Sequence, residues 1–180
     1  MKEKAKKFAE NAHRGQFRKT GNLPYIVHPV RVAEMLEKAG AKDELVCAGY
    51  LHDVVEDTSV GIDEIEKEFG VKVADLVCAH TEDKTKSWME RKQQTIDTLK
   101  SAELDLKMLI VADRLDNLLS LERSLEKTGP SVWGMFNAGY EEQKWYNEEI
   151  MVHMNTGLPK EKQPDLFRSF ESAVKRIFNH

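Results

Sequence analysis

The stretch 104–121, LDLKMLIVADRLDNLLSL, constrains the fold of this chain more than any other. It is apolar at most positions, which predicts a buried helix. Yet Asp113, Asp116, Asn117 and Ser120 recur at i, i+3, i+4 and i+7, which makes one narrow polar stripe. Burying polar groups without partners costs roughly 2–7 kcal/mol each. A fold that accepts this helix must therefore set partners or a cavity against that stripe.

Two upstream segments offer partners. In AGYLHDVVEDT, His52 and Asp53 close an apolar run, and Glu56 and Asp57 follow one helical turn later. Positions four apart share a helical face, so Glu56 stacks on His52 and Asp57 on Asp53. In PYIVHPVRVAEML, His28 precedes Pro29, which suits the first helical position because its missing N–H costs nothing there. Taken singly, each residue has a plainer reading. The His-Asp pair caps a helix, His28 marks a helix entry, and Asp113 is the wet face of its helix. Taken together, His28, His52, Asp53 and Asp113 place two imidazoles and two carboxylates on separate helices. That donor set suits a divalent ion such as Mn²⁺, Fe²⁺ or Zn²⁺.

Helical periodicity runs through the rest of the chain, with no repeat and no convincing alternating strand. Helices are predicted over 2–14, 29–39, 43–56, 62–69, 71–80, 88–101, 104–121, 131–155 and 163–178. Gly40 and Gly70 end helices, Gly129-Pro130 opens a long late one, and Gly157-Leu158-Pro159 sets off the last. RKTGNLPY is the main early loop, with Gly21 at its turn, and HTEDKTKS carries a weak hairpin signal. The expectation is an all-α bundle in one domain across 1–180, a size that supports a real core. The net charge of −4 gives no general nucleic-acid footprint. No apolar run approaches the roughly 20 residues a membrane crossing needs, and the basic first segment lacks an apolar signal core. Cys47 and Cys78 read as buried reduced thiols, and the cytoplasm is the expected location. The oligomeric state is left open.

The chain resembles a known family. His28, His52-Asp53 and Asp113 match the order and context of the HD-domain metal-dependent phosphohydrolases. AHRGQFRKTGNLPYIVHPVRVAEML, AGYLHDVVEDT with IEKEFGVKVADLV behind it, and ADRLDNL are similar to the hydrolase domain of the RelA/SpoT family. The likeness is continuous over about 9–121 and then thins to the helical pattern of 131–178. It is closest in kind to the small stand-alone alarmone hydrolases. The resemblance implies an HD-domain helical bundle that removes the 3′-pyrophosphate of (p)ppGpp. It implies metal ligation, usually of Mn²⁺, by His28, His52, Asp53 and Asp113. It gives Glu56 and Asp57 the handling of the attacking water. It gives Arg18, Lys19 and Asn117 contacts with the nucleotide, and Ser120 stands where threonine is common. There are two departures. Asn22-Leu23 lengthens the loop between RK and PY, and Asp116 replaces the usual histidine of ADRLHN, a change expected to act on pocket charge.

Other polar residues have competing readings. Arg91 and Lys92 suit either phosphates or a solvated helix face. Tyr146, among the late aromatics Trp133, Tyr140 and Trp145, suits either core packing or the lining of a nucleotide pocket. His80 with Glu82-Asp83 suits a helix end and polar loop better than a second metal cluster. Two further functions stay open beside the alarmone reading. One is hydrolysis of another nucleotide, such as the 2′-phosphate of NADPH or a nucleotidase reaction. The other is non-catalytic nucleotide sensing, which the intact Glu56 and Asp57 disfavour.

Overall fold

In the computed structural model, which describes residues 1–19 and 22–178, ten α-helices and two short 3₁₀ turns form among the described residues. They are α1 (Lys2–Ala12), α2 (Val27–Lys38), α3 (Asp43–Leu51), α4 (Val54–Asp57), α5 (Ile62–Phe69), α6 (Val71–His80), α7 (Trp88–Ser101), α8 (Leu104–Thr128), α9 (Tyr140–His153) and α10 (Asp165–Phe178). The 3₁₀ turns are Gly129–Met135 and Lys160–Lys162. No strand forms among the described residues. One antiparallel bridge, Phe17 to Pro24, closes the early loop, whose Thr20 and Gly21 lie outside the described residues. The expected all-α bundle is what forms, and HTEDKTKS is a turn rather than a hairpin.

The core is built around α3, whose seven residues Leu45–Leu51 are all buried. It packs on α1, α2, α6 and α8. Gly49 permits the closest of these approaches. A Cβ there would meet Leu36 Cδ1 at 2.9 Å and Ala33 Cα at 3.0 Å, so only hydrogen fits between α2 and α3. At the turn between α5 and α6, Gly70 holds φ at +91°, a conformation other residues resist. Ser87 starts α7 with a capping box, its hydroxyl accepting from the Glu90 N–H while Glu90 accepts from the Ser87 N–H. The amphipathic α10 buries Phe167, Phe170 and Phe178 and lies along α8 and α9.

Cys47 is buried, but Cys78 is exposed, against the expectation of a buried thiol. Several helix boundaries also differ from the sequence expectation; α1 ends at Ala12, α9 ends at His153 and α10 starts at Asp165. The helix expected over 43–56 breaks at His52-Asp53, where Asp53 leaves regular helix geometry at φ −97°, ψ −6°. α2 starts at Val27, so Pro29 sits at the third helical position, still within the first turn where no N–H is needed. α8 continues to Thr128, and its end at Gly129 has φ of +65°. Gly129-Pro130 then opens a 3₁₀ turn, and α9 begins only at Tyr140.

Candidate metal centre

Three helices bring the four candidate ligands together. α2 presents His28 from its first turn, the α3–α4 break presents His52 and Asp53, and the middle of α8 presents Asp113. His28 Nε2 lies 3.2 Å from His52 Nε2 and 3.1 Å from Asp113 Oδ1. Asp53 Oδ2 lies 3.1 Å from His52 Nε2 and 3.6 Å from His28 Nε2. The break between α3 and α4 is what allows adjacent residues to serve one point, because in continuous helix their side chains would diverge by about 100°.

The donor set fits a cation. His52 Nδ1 donates to the Gly49 carbonyl at 2.8 Å, and His28 Nδ1 donates to Asp116 Oδ2 at 2.7 Å. Both Nδ1 protons are thus committed outward, which leaves both Nε2 lone pairs facing each other and two carboxylates. Such an arrangement calls for a positive charge at its centre. The protonation balance carries the same sign. Burial opposes charge on His52, but Asp53 outweighs it and raises the ring to about 9. Burial likewise opposes ionisation of Asp53 and Asp113, yet His52 beside the first and His28 beside the second hold both carboxyls well below their usual range. His28, His52 and Asp113 could hold a divalent metal ion as they stand.

Glu56 and Asp57 stand one turn on, at the mouth of the centre. Glu56 Oε2 accepts from the Glu82 N–H at 3.1 Å. Burial raises the Glu56 carboxyl, and the negative charges of Asp53, Glu82 and Asp57 add to this, against the Glu82 hydrogen bond. Asp57 Oδ1 pairs with Lys84, and its Oδ2 lies 3.2 Å from the Tyr25 hydroxyl. That hydroxyl is also 2.7 Å from Asp53 Oδ2. Burial and the Asp53 charge raise the phenol well above its usual value, so it stays a donor. Tyr25 thereby joins the candidate ligand Asp53 to Asp57. The signal for it is the tyrosine of PY, one turn before His28. Lys84 lies in HTEDKTKS, whose weak hairpin signal carries no hint of a contact with Asp57.

The centre lies in a pocket of about 150 Å³ lined by His28, Asp53 and Asp113, which shares Arg18, Glu56, Asp57 and Asn117 with a cleft of about 850 Å³ that Lys19, Arg91 and Ser120 also line. Asn117 links two of its walls, donating to Asp113 Oδ1 at 2.7 Å and accepting from Arg18 at 2.9 Å. Ser120 accepts from Arg123 at 3.0 Å. Glu82 holds Arg91 at 2.9 Å and Lys92 at 2.7 Å, so both cations point along the cleft rather than into bulk water. Tyr146 is buried on the inner side. Its ring is flanked by Lys92 Nζ at 5.2 Å and the Arg114 guanidinium at 5.1 Å, so it both packs and lines the inner pocket. His80 is drawn to the centre as well, with Nε2 3.4 Å from Asp113 Oδ2. Asp116, expected to act on pocket charge, lines a pocket with Arg18 and Ser120 and sits behind His28, buried and bonded to it.

The helical bundle and its His/His-Asp/Asp cluster define a class. The chain belongs to the HD domain family, whose model matches residues 5–139. Within that family the chain is similar to guanosine-3′,5′-bis(diphosphate) 3′-pyrophosphohydrolases and, over 66% of its length, to GTP pyrophosphokinases. Over 174 residues, 95% of this chain and 89% of the relative, it is 41% identical to the guanosine-3′,5′-bis(diphosphate) 3′-pyrophosphohydrolase MESH1 of Mus musculus. The crystal structure of lmo0812 from Listeria monocytogenes EGD-e has 47% sequence identity and a TM-score of 0.81, covering 87% of this chain and 97% of that one. A structure described as a metazoan ortholog of SpoT that hydrolyses ppGpp has 26% identity and a TM-score of 0.80, covering 98% and 96%.

Proposed function

We propose that this chain hydrolyses the 3′-pyrophosphate of (p)ppGpp in a metal-dependent reaction, releasing GDP or GTP and pyrophosphate. One observation carries this reading: the pocket lined by His28, Asp53 and Asp113 adjoins a cleft of about 850 Å³ whose lining includes Arg18, Lys19, Arg91 and Lys92. A relative 41% identical along nearly the whole chain bears the name of that activity. We assign the ligands as His28, His52, Asp53 and Asp113, and the ion as Mn²⁺, with Fe²⁺ and Zn²⁺ suiting the same donors. A divalent ion there supplies a Lewis acid for a phosphoryl oxygen and acidifies water.

The chain's own groups do the rest. Water adds to the phosphorus next to the 3′ oxygen, the bond to that oxygen breaks, and the 3′ oxygen leaves with a proton. Glu56 accepts the proton of the attacking water, since its raised carboxyl is a stronger base than an exposed glutamate. Asp57, held between Tyr25 and Lys84, orients that water. Arg18 and Lys19 grip the nucleotide, with Asn117 tying Arg18 to the ligand Asp113, and Ser120 and Tyr146 line the same pocket. Arg91 offsets phosphate charge. A cleft of about 850 Å³ suits a nucleotide, since ligand sites commonly span roughly 300–1,000 Å³. We place the reaction in the cytoplasm and in one hydrolase domain spanning 1–180; no described helix is long and apolar enough to cross a membrane.

A product assay tests the reading. With Mn²⁺, ppGpp should yield GDP and pyrophosphate, and a chelator should stop it. Release of inorganic phosphate alone from NADPH or a mononucleotide, with ppGpp left intact, would replace the alarmone by another nucleotide.

A further inference from the structure

The two histidines of the centre are backed differently. His52 Nδ1 donates to a neutral group, the Gly49 carbonyl, at 2.8 Å. His28 Nδ1 donates to a carboxylate, Asp116 Oδ2, at 2.7 Å. Asp116 is only 1% exposed, and a carboxylate that deep is costly unless charged or hydrogen-bonding partners face it. Its partners are the His28 ring and, at 4.0 Å, the Arg31 guanidinium. Arg31 lies one turn after His28 on α2, and Asp116 lies one turn after Asp113 on α8. One turn of α8 thus carries both a candidate ligand and the group behind another.

We propose that Asp116 is a positioning residue for His28, one that fixes its tautomer and ring orientation and makes it the stronger nitrogen donor of the two. The inference rests on the metal reading above. A carboxylate hydrogen-bonded to the far nitrogen of a ligating imidazole raises the basicity of the near one. The Gly49 carbonyl orients His52 without lending it a negative charge. The competing view makes Asp116 a structural tie between α2 and α8, with no bearing on the ion.

Mn²⁺ affinity, measured by competition with a chelating fluorescent indicator, separates these views. Asp116→Asn keeps the shape and an oxygen that accepts from Nδ1, but removes the charge. It should weaken Mn²⁺ binding about tenfold, and Asp116→Ala should weaken it by about 10–100-fold. The metal concentration for half-maximal turnover should rise in step. The rise in Tm on adding a fixed Mn²⁺ concentration should shrink in both variants. A purely structural tie would lower the metal-free Tm and leave the increment unchanged. An Asp116→Asn protein that binds Mn²⁺ as tightly as wild type overturns the inference, and that variant alone decides if Asp116→Ala does not fold. Wild-type protein that takes up no Mn²⁺ in the same titration overturns the metal reading itself, and the inference falls with it.

Discussion

Tyr25 links two candidate roles at a single residue, since its one hydroxyl lies within 3.2 Å of both the candidate ligand Asp53 and Asp57, the carboxylate proposed to orient water. Glu56 is the residue whose ionisation should be visible. Burial raises its carboxyl above the ordinary 4.5, so it keeps its proton to a higher pH than an exposed glutamate. As a base it must be ionised. With Mn²⁺ saturating, kcat should therefore fall at acid pH as Glu56 takes up a proton. An acid limb that persists unchanged in Glu56→Gln would remove Glu56 from the base role. Glu56→Gln and Asp57→Asn should each retain Mn²⁺ and the fold while lowering kcat on the order of 10²-fold or more. Near-wild-type kcat in both would take the pair out of the mechanism. The site was legible in the sequence at this scale to the extent that residue types declare chemistry. His28, His52, Asp53 and Asp113 converge as their types suggested. Tyr25, Lys84 and the place of Asp116 behind His28 depend on which helices meet, and no local pattern encodes that.

At the scale of elements, α2 and α3 matter most, because their contact sets the separation of His28 and His52. Gly49→Ala would force a methyl against Leu36 and the Ala33 backbone. Overpacking of this kind costs about 1–3 kcal/mol. The variant should lose stability by that amount in urea, and it should bind Mn²⁺ more weakly because the two rings are pushed apart. Unchanged stability would mean that α2 yields freely at this crossing. Most helices were legible because glycines mark their ends, as at Gly40 and Gly70. The break at His52-Asp53 was hidden because VVED continues a helical pattern. α8 overran its expected end because ERSLEKT is good helix-forming sequence up to Gly129. Pro130 signals a helix start equally well for a 3₁₀ turn, so the late region was read as one helix where the chain forms a turn and then α9.

For the whole molecule, the candidate ligands lie on helices that the apolar core already packs. An ion bound only by the folded state adds about 2.7 kcal/mol at a concentration 100 times its Kd. For a chain of this size that corresponds to roughly 5–10 °C in Tm. Stripping the ion with a chelator should lower Tm by about that much, and as one domain the protein should still melt in a single transition. An unchanged Tm would deny the ion a place in the fold, and two separated transitions would deny a single domain. His28 and Asp113 stand 85 positions apart along the chain, with His52 and Asp53 between them. During synthesis the nascent chain therefore exposes two imidazoles and one carboxylate well before α8 has emerged to complete the set. On the proposed ligation, the full donor set can close on an ion only after α8 has docked.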